Sequence, residues 1–136
     1  MNYILLKNDL ALILALMDLL EKFDENGNKA SPELPKQVRN YLIDIDGTIC
    51  EDIPNEEPER MLTAREFEGT KEKVNKFYDA GHIVTFFTSR TEAHRENTKI
   101  WLKEHGFKYH SIWFGKPRGG NYFVIDDKIE SATKVL

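Results

Sequence analysis

Asp44 and Asp46 stand two residues apart at the end of the apolar run Tyr41-Leu42-Ile43, and Gly47 and Thr48 follow at once. In a strand, residues i and i+2 point to the same side, so a strand ending here would aim both carboxylates into one small volume where the chain leaves the sheet. Open parallel sheets bind ligands at that carboxyl edge. Two acids this close repel and must share a proton or be neutralised by a cation; an oxygen-seeking Mg2+ ion is the natural third party. Gly47 frees the backbone to turn sharply, and Thr48 supplies a hydroxyl. A plain surface turn is the competing reading, because Asp-Gly is a common hairpin signal.

Two further apolar runs end in the same way. Ile83-Val84-Thr85-Phe86-Phe87 closes on Thr88-Ser89-Arg90, and Tyr122-Phe123-Val124-Ile125 closes on Asp126-Asp127. Between them, Phe114-Gly115-Lys116-Pro117 holds a lysine between a glycine and a proline. In this order the four pieces resemble the signatures of the haloacid dehalogenase-like (HAD) phosphohydrolase superfamily. Those signatures are Asp-x-Asp-x-Thr, a Thr or Ser closing a strand, a Lys, and an acidic pair ending another strand. All four fall in order between residues 41 and 127.

The resemblance implies a Mg2+-dependent phosphomonoester hydrolase working through an aspartyl-phosphate. Asp44 matches the nucleophile that attacks phosphorus in line, and Asp46 matches the general acid and base. Thr88 would donate to a phosphoryl oxygen, and Lys116 would neutralise the nucleophile and the phosphoryl charge. Mg2+ would take an Asp44 carboxylate oxygen, the Asp46 main-chain carbonyl and an acid of the fourth motif, with Asp127 preferred over Asp126 as the direct ligand. Ser89 and Arg90 complete the expected substrate-binding set; Arg90 either clamps a phosphate bidentately or pairs with a nearby acid. His94 and Arg95 could face the substrate, whereas His82, His105 and His110 read as surface histidines. No Cys and His spacing suggests zinc.

These groups need elements that carry them to one edge. Thr70 to Ala80 reads as a helix with Val74, Phe77 and Tyr78 on one face and Gly81 in the stop position. A second helix from about Thr91 to His105 would present Ala93, Ile100, Trp101 and Leu102 to the sheet before Gly106 ends it. Strands follow near 110 to 113 and 122 to 125, with a short closing helix over Ile129 to Val135. The stretch 49 to 69, with Pro54, Pro58 and many acids, reads as a loop or flap. Strands alternating with helices imply parallel pairing through right-handed crossovers. With the resemblance, the expected architecture is an α/β, Rossmann-like (HAD-like) three-layer sandwich with a mostly parallel sheet, no large cap domain and an extra N-terminal helix. The chain resembles small capless HAD proteins of capsular or polysaccharide biosynthesis or heptose-phosphate metabolism.

At 136 residues and 40% hydrophobic content the chain suits one globular domain, divided here into an N-terminal helix and linker (1–37) and a phosphohydrolase domain (38–136). The lone Cys50 excludes an internal disulfide framework and fits a reducing, cytoplasmic setting; it reads as a small hydrophobe in a partly buried loop. With 19 Lys and Arg against 23 Asp and Glu, an extended nucleic-acid surface is not expected, and Lys108, Lys116 and Arg118 are the obvious basic contributors. The apolar run Leu10 to Met17 lies between Asp9 and Asp18 and falls short of the roughly 20 residues a membrane span needs. It reads as a helix ending at Asp24 to Asn28, apolar around its circumference, and so as a surface for homo-oligomer formation. The expected substrate is a small phosphorylated metabolite such as a sugar phosphate. A nucleic-acid terminal phosphate, a phosphotransfer reaction and a non-catalytic binding module are the alternatives.

Overall fold

Three of the four expected strands form. A computed structural model describes residues 23–29 and 33–136, and its strands are β1 (Asn40–Ile43), β2 (Ile83–Phe87) and β3 (Ser111–Trp113). All pair in parallel in the order β1-β2-β3, with Ile43 opposite Phe86 and Phe86 opposite Ile112. Helix α1 (Thr70–Asp79) connects β1 to β2, and α2 (Arg95–Glu104) connects β2 to β3. The result is a small, open, all-parallel α/β arrangement of Rossmann-like character.

Burial follows from strand position. Ile83 to Phe86 of the central strand are all buried, as a continuous apolar run in a parallel sheet requires. β1 alternates instead: Ile43 is buried and Tyr41 stacks on Phe77 of α1 at 4.0 Å, while Leu42 on the other face is 55% exposed. Among the described residues only one face of β1 is covered, so the expected three-layer sandwich is incomplete there. Ile43, Ile45, Val74, Phe86, Trp101 and Leu102 belong to the main core cluster. Gly81 (φ 92) and Gly106 (φ 76) adopt the left-handed turns that stop the two helices where expected.

The expected face of α2 needs correction. Trp101 and Leu102 are buried, but Ile100 is 41% exposed and Ala93 is also exposed. His94, Thr98, Trp101 and Leu102, at helical spacing, form the inward stripe instead. The acid-rich stretch after β1 is mostly irregular with a 3-10 turn over Pro58–Thr63, and Trp101 Nε1–H fastens it to α2 by donating to the Ala64 carbonyl at 2.9 Å.

Two elements expected near the C-terminus do not form. Gly119, Gly120 and Asn121 all have positive φ (103, 74 and 56). This left-handed run takes the chain out of extended geometry just before Tyr122, and the apolar segment has no ladder partner among the described residues. Phe123 is 92% and Ile125 96% exposed, and Ile129 to Val135 is not helical.

The histidines expected at the surface act as ties. His82 Nδ1 accepts the Arg39 N–H at 3.1 Å, and His110 Nδ1 accepts the Val84 N–H at 3.0 Å. Burial lowers the pKa of both. His105 stacks on Trp101 and meets Glu66 at 3.0 Å. The apolar N-terminal helix falls outside the described residues. Its expected end is a turn in which Asp24 Oδ1 accepts the N–H groups of Asn26 and Asn28, both at 2.9 Å. No described helix is long and apolar enough to cross a membrane.

Candidate active site

The carboxyl ends of the three strands open into a cleft of about 540 Å3, within the usual range for small-molecule sites. Asp44 and Asp46 reach it from β1, Ser89 and Arg90 from β2, and Lys116 from the segment after β3. Main-chain bonds set that last segment in place. The Thr88 N–H donates to the Trp113 carbonyl at 2.9 Å, the Gly115 N–H to Arg90 at 2.8 Å and the Lys116 N–H to Thr88 at 2.9 Å. These bonds tie the segment after β3 to the chain leaving β2, and Gly115, at φ 82, supplies the turn.

This delivers the Lys116 ammonium to 2.9 Å from Asp44 Oδ1, while the Thr48 hydroxyl donates to Asp44 Oδ2 at 3.3 Å. Arg90 grips Asp46 with a fork: Nε to Oδ2 at 2.9 Å and Nη2 to Oδ1 at 2.8 Å. The guanidinium is buried, its side chain only 2% exposed against 15% for Asp46. Its remaining nitrogen donates to Thr98 Oγ1 at 3.0 Å, and that hydroxyl donates onward to the His94 carbonyl at 2.8 Å. Of the two roles open to Arg90, the pairing with an acid is the one found. The repulsion between the two aspartates is relieved by two protein cations, one for each.

Thr88 departs from its expected place. It is fully buried, its hydroxyl oxygen accepts the Arg90 N–H at 3.1 Å, and it is not among the residues that line the cleft. Ser89 does line the cleft, with its hydroxyl donating to the Pro117 carbonyl at 3.3 Å. Asp126 and Asp127 are not brought to Asp44. Asp126 accepts the Lys128 N–H at 2.8 Å, and Asp127, its side chain 86% exposed, faces Lys128 at 3.5 Å. The strand that would have carried them is the one displaced by the left-handed run at 119 to 121.

The expected Mg2+ set is therefore not assembled by these residues. Both oxygens of Asp44 and of Asp46 have protein donors, the fourth-motif acids lie elsewhere, and no described group of three or more His, Cys, Asp or Glu side chains converges. Mg2+ is commonly held by one or two carboxylates and its own waters, and of the expected carboxylate ligands Asp44 is the one that stands partly exposed at the cleft. Cys50, fully buried, behaves as the expected small hydrophobe; burial, reinforced by Asp46, pushes its thiol pKa up to about 12.

Several site residues were not foreseen. The loop after β1 also lines the cleft, through Asp52, Asn55 and Glu56. His94, expected to face substrate, is buried and straps this loop down. Its Nδ1 takes the Thr91 N–H at 3.0 Å, so Nε2 carries the proton and donates to the Asn55 carbonyl at 3.0 Å. Asn55 Nδ2 in turn donates to the Ser89 carbonyl at 3.1 Å. The Thr91 and His94 pair at a helix start was the sequence signal for this strap. Arg95 pairs with Glu92 at 2.8 Å and stands over the Phe114 ring.

No protein-family model matches the sequence, and no curated protein matches it. Solved structures share the fold. An MCSG target from Vibrio cholerae superposes with a TM-score of 0.52 at 21% identity, covering 68% of this chain and 83% of that one. A chain of the Pnkp1/Rnl/Hen1 complex gives a TM-score of 0.50 at 18% identity, covering 79% of this chain and 40% of that one. At these identities the likeness is one of fold.

Proposed function

We propose that the cleft hydrolyses phosphate monoesters through an aspartyl-phosphate on Asp44, with a small phosphorylated metabolite as substrate. The observation that carries this reading is the Lys116 ammonium 2.9 Å from Asp44, whose side chain is 35% exposed at the carboxyl edge of a parallel sheet. Asp44 is the more accessible aspartate and has a cation beside it for an incoming phosphate. A carboxylate oxygen of Asp44 attacks phosphorus opposite the leaving oxygen; that P–O bond breaks and the leaving oxygen takes up a proton. Water then attacks phosphorus, returning the Asp44 carboxylate and releasing inorganic phosphate. Lys116 stays within reach of charge building on the phosphoryl oxygens.

Asp46 is held as an acceptor, since both its oxygens receive N–H bonds from Arg90. Its part in this scheme is to take the proton of the attacking water; donating one to the leaving oxygen first requires a contact with Arg90 to open. Mg2+ dependence is proposed from the HAD resemblance alone, and the steps above do not draw on it. An open cleft admits water, which favours hydrolysis over phosphotransfer.

A nucleic-acid terminal phosphate is the less favoured substrate. Lys108, one of the three basic residues that could have served a polyanion, is paired with Asp79 at 2.8 Å instead of lining the cleft. The test is a panel of phosphate monoesters assayed with Mg2+, with EDTA and with Asp44→Asn. Substrate-selective phosphate release lost in Asp44→Asn is expected, and unchanged release in that variant would overturn the proposal.

A further inference from the structure

The cleft draws its charges from two segments. Lys116 and Arg118 come from the chain after β3, Asp52 and Glu56 from the loop after β1. The ion pairs of the site, Arg90 with Asp46 and Lys116 with Asp44, leave Asp52 and Glu56 out. These carboxylates are carried by anchored chain. Between them, the Ile53 N–H donates to Asp46 at 3.3 Å, while Asn55 is fixed on both sides, to the Ser89 carbonyl at 3.1 Å and to His94 at 3.0 Å. The anchors hold the acidic wall against the aspartates that would do the chemistry.

A carboxylate is an acceptor only. Both side chains are exposed to water, so a substrate whose phosphate lies at Lys116 is favoured when it offers donors to replace that water at this wall. A body bearing more phosphates meets like charge there. We infer that Asp52 and Glu56 are specificity residues that accept hydrogen bonds from hydroxyl or amino groups on the substrate body. The preferred substrate is then a small monoester of a polyol or amino-polyol, and phosphorylated nucleic-acid ends are disfavoured. This inference rests on the phosphatase reading of the cleft.

The test measures kcat/KM of the full chain on p-nitrophenyl phosphate, whose body has no such donors, on glucose 6-phosphate and glucosamine 6-phosphate, and on a 3'-phosphorylated oligonucleotide. The parent is compared with Asp52→Ala/Glu56→Ala and, in case that variant folds poorly, with Asp52→Asn/Glu56→Gln. The substitutions are expected to lower kcat/KM on at least one sugar phosphate by about tenfold, mainly through KM, and to stay within about twofold on p-nitrophenyl phosphate. Activity on the oligonucleotide should hold or rise. The amino sugar falling further than the neutral sugar identifies an ammonium donor; equal falls identify hydroxyls. A parent active on p-nitrophenyl phosphate whose sugar-phosphate kinetics do not respond to either variant overturns this inference alone. A parent inactive on every probe overturns the phosphatase reading with it.

Discussion

Replacing Arg90 by Met should destabilise the protein more than any other single change in the cleft. The guanidinium is 2% exposed and makes three side-chain hydrogen bonds, two to Asp46 and one to Thr98. Removing one partner of a buried pair costs about 3 to 5 kcal/mol, because the other charge is left without compensation. Asp46 keeps 15% exposure, so water can reach the orphaned carboxylate and the lower end applies. The lost bond to Thr98 adds about 1 kcal/mol. The expected loss is about 3 to 4 kcal/mol, a large part of the roughly 5 to 15 kcal/mol that holds a domain together. Arg90→Lys keeps the charge but not the fork, and should cost about half as much. Equilibrium urea unfolding followed by tryptophan fluorescence reads these values. A double-mutant cycle with Asp46→Asn should return a coupling of about 2 kcal/mol. Arg90→Met within about 0.5 kcal/mol of the parent, or a cycle with no coupling, would refute the assignment of Arg90 to Asp46.

Lys116→Met should lower kcat on a phosphate monoester by about a hundredfold or more, and a change below about threefold in steady-state assays would remove Lys116 from the chemistry. His110 gives a pH dependence. Its Nδ1 accepts the Val84 N–H, its Nε2 is buried without a partner among the described residues, and burial holds its pKa below the ordinary value of 6.5. Protonation therefore favours the unfolded chain: this contribution is intact above the unfolded value and falls away as pH drops below it toward the depressed folded value. Unfolding free energies measured from neutral pH downward should decline, and His110→Asn should flatten that decline; identical slopes would contradict the account. Asp126→Asn and Asp127→Asn, tested separately, should leave kcat/KM within about twofold, since neither side chain lines the cleft. A hundredfold loss in either would mean that its carboxylate joins the site during turnover.

What could be read from the sequence depended on whether a signal was local. The runs ending at Ile43 and Phe87 are strands, and Gly81 and Gly106 stop helices, because apolar continuity and left-handed glycine are properties of short segments. Asp44, Asp46 and Lys116 converge because each closes or follows such a segment. Tyr122 to Ile125 looks equally like a strand, but a strand exists only with a partner to pair with, and three left-handed residues before it decide otherwise. Arg90 had two available roles, and the choice rests on an aspartate 44 positions earlier and a threonine on α2. Thr98 gave little warning, since a hydroxyl carries no apolar period and acts through a tertiary contact. The acids after β1 marked an irregular loop, but irregular backbone has no period from which Asp52 and Glu56 could be assigned to the cleft wall.

The nucleophile can be caught directly. Mixing the protein with a hydrolysed monoester, quenching in acid within the first turnovers and mapping peptides by mass spectrometry should find one added phosphoryl group on the peptide carrying Asp44. The same adduct should be absent from Asp44→Asn. Turnover undiminished in Asp44→Asn, or a phosphoryl group carried reproducibly by a different residue, would contradict the claim that this cleft works through Asp44.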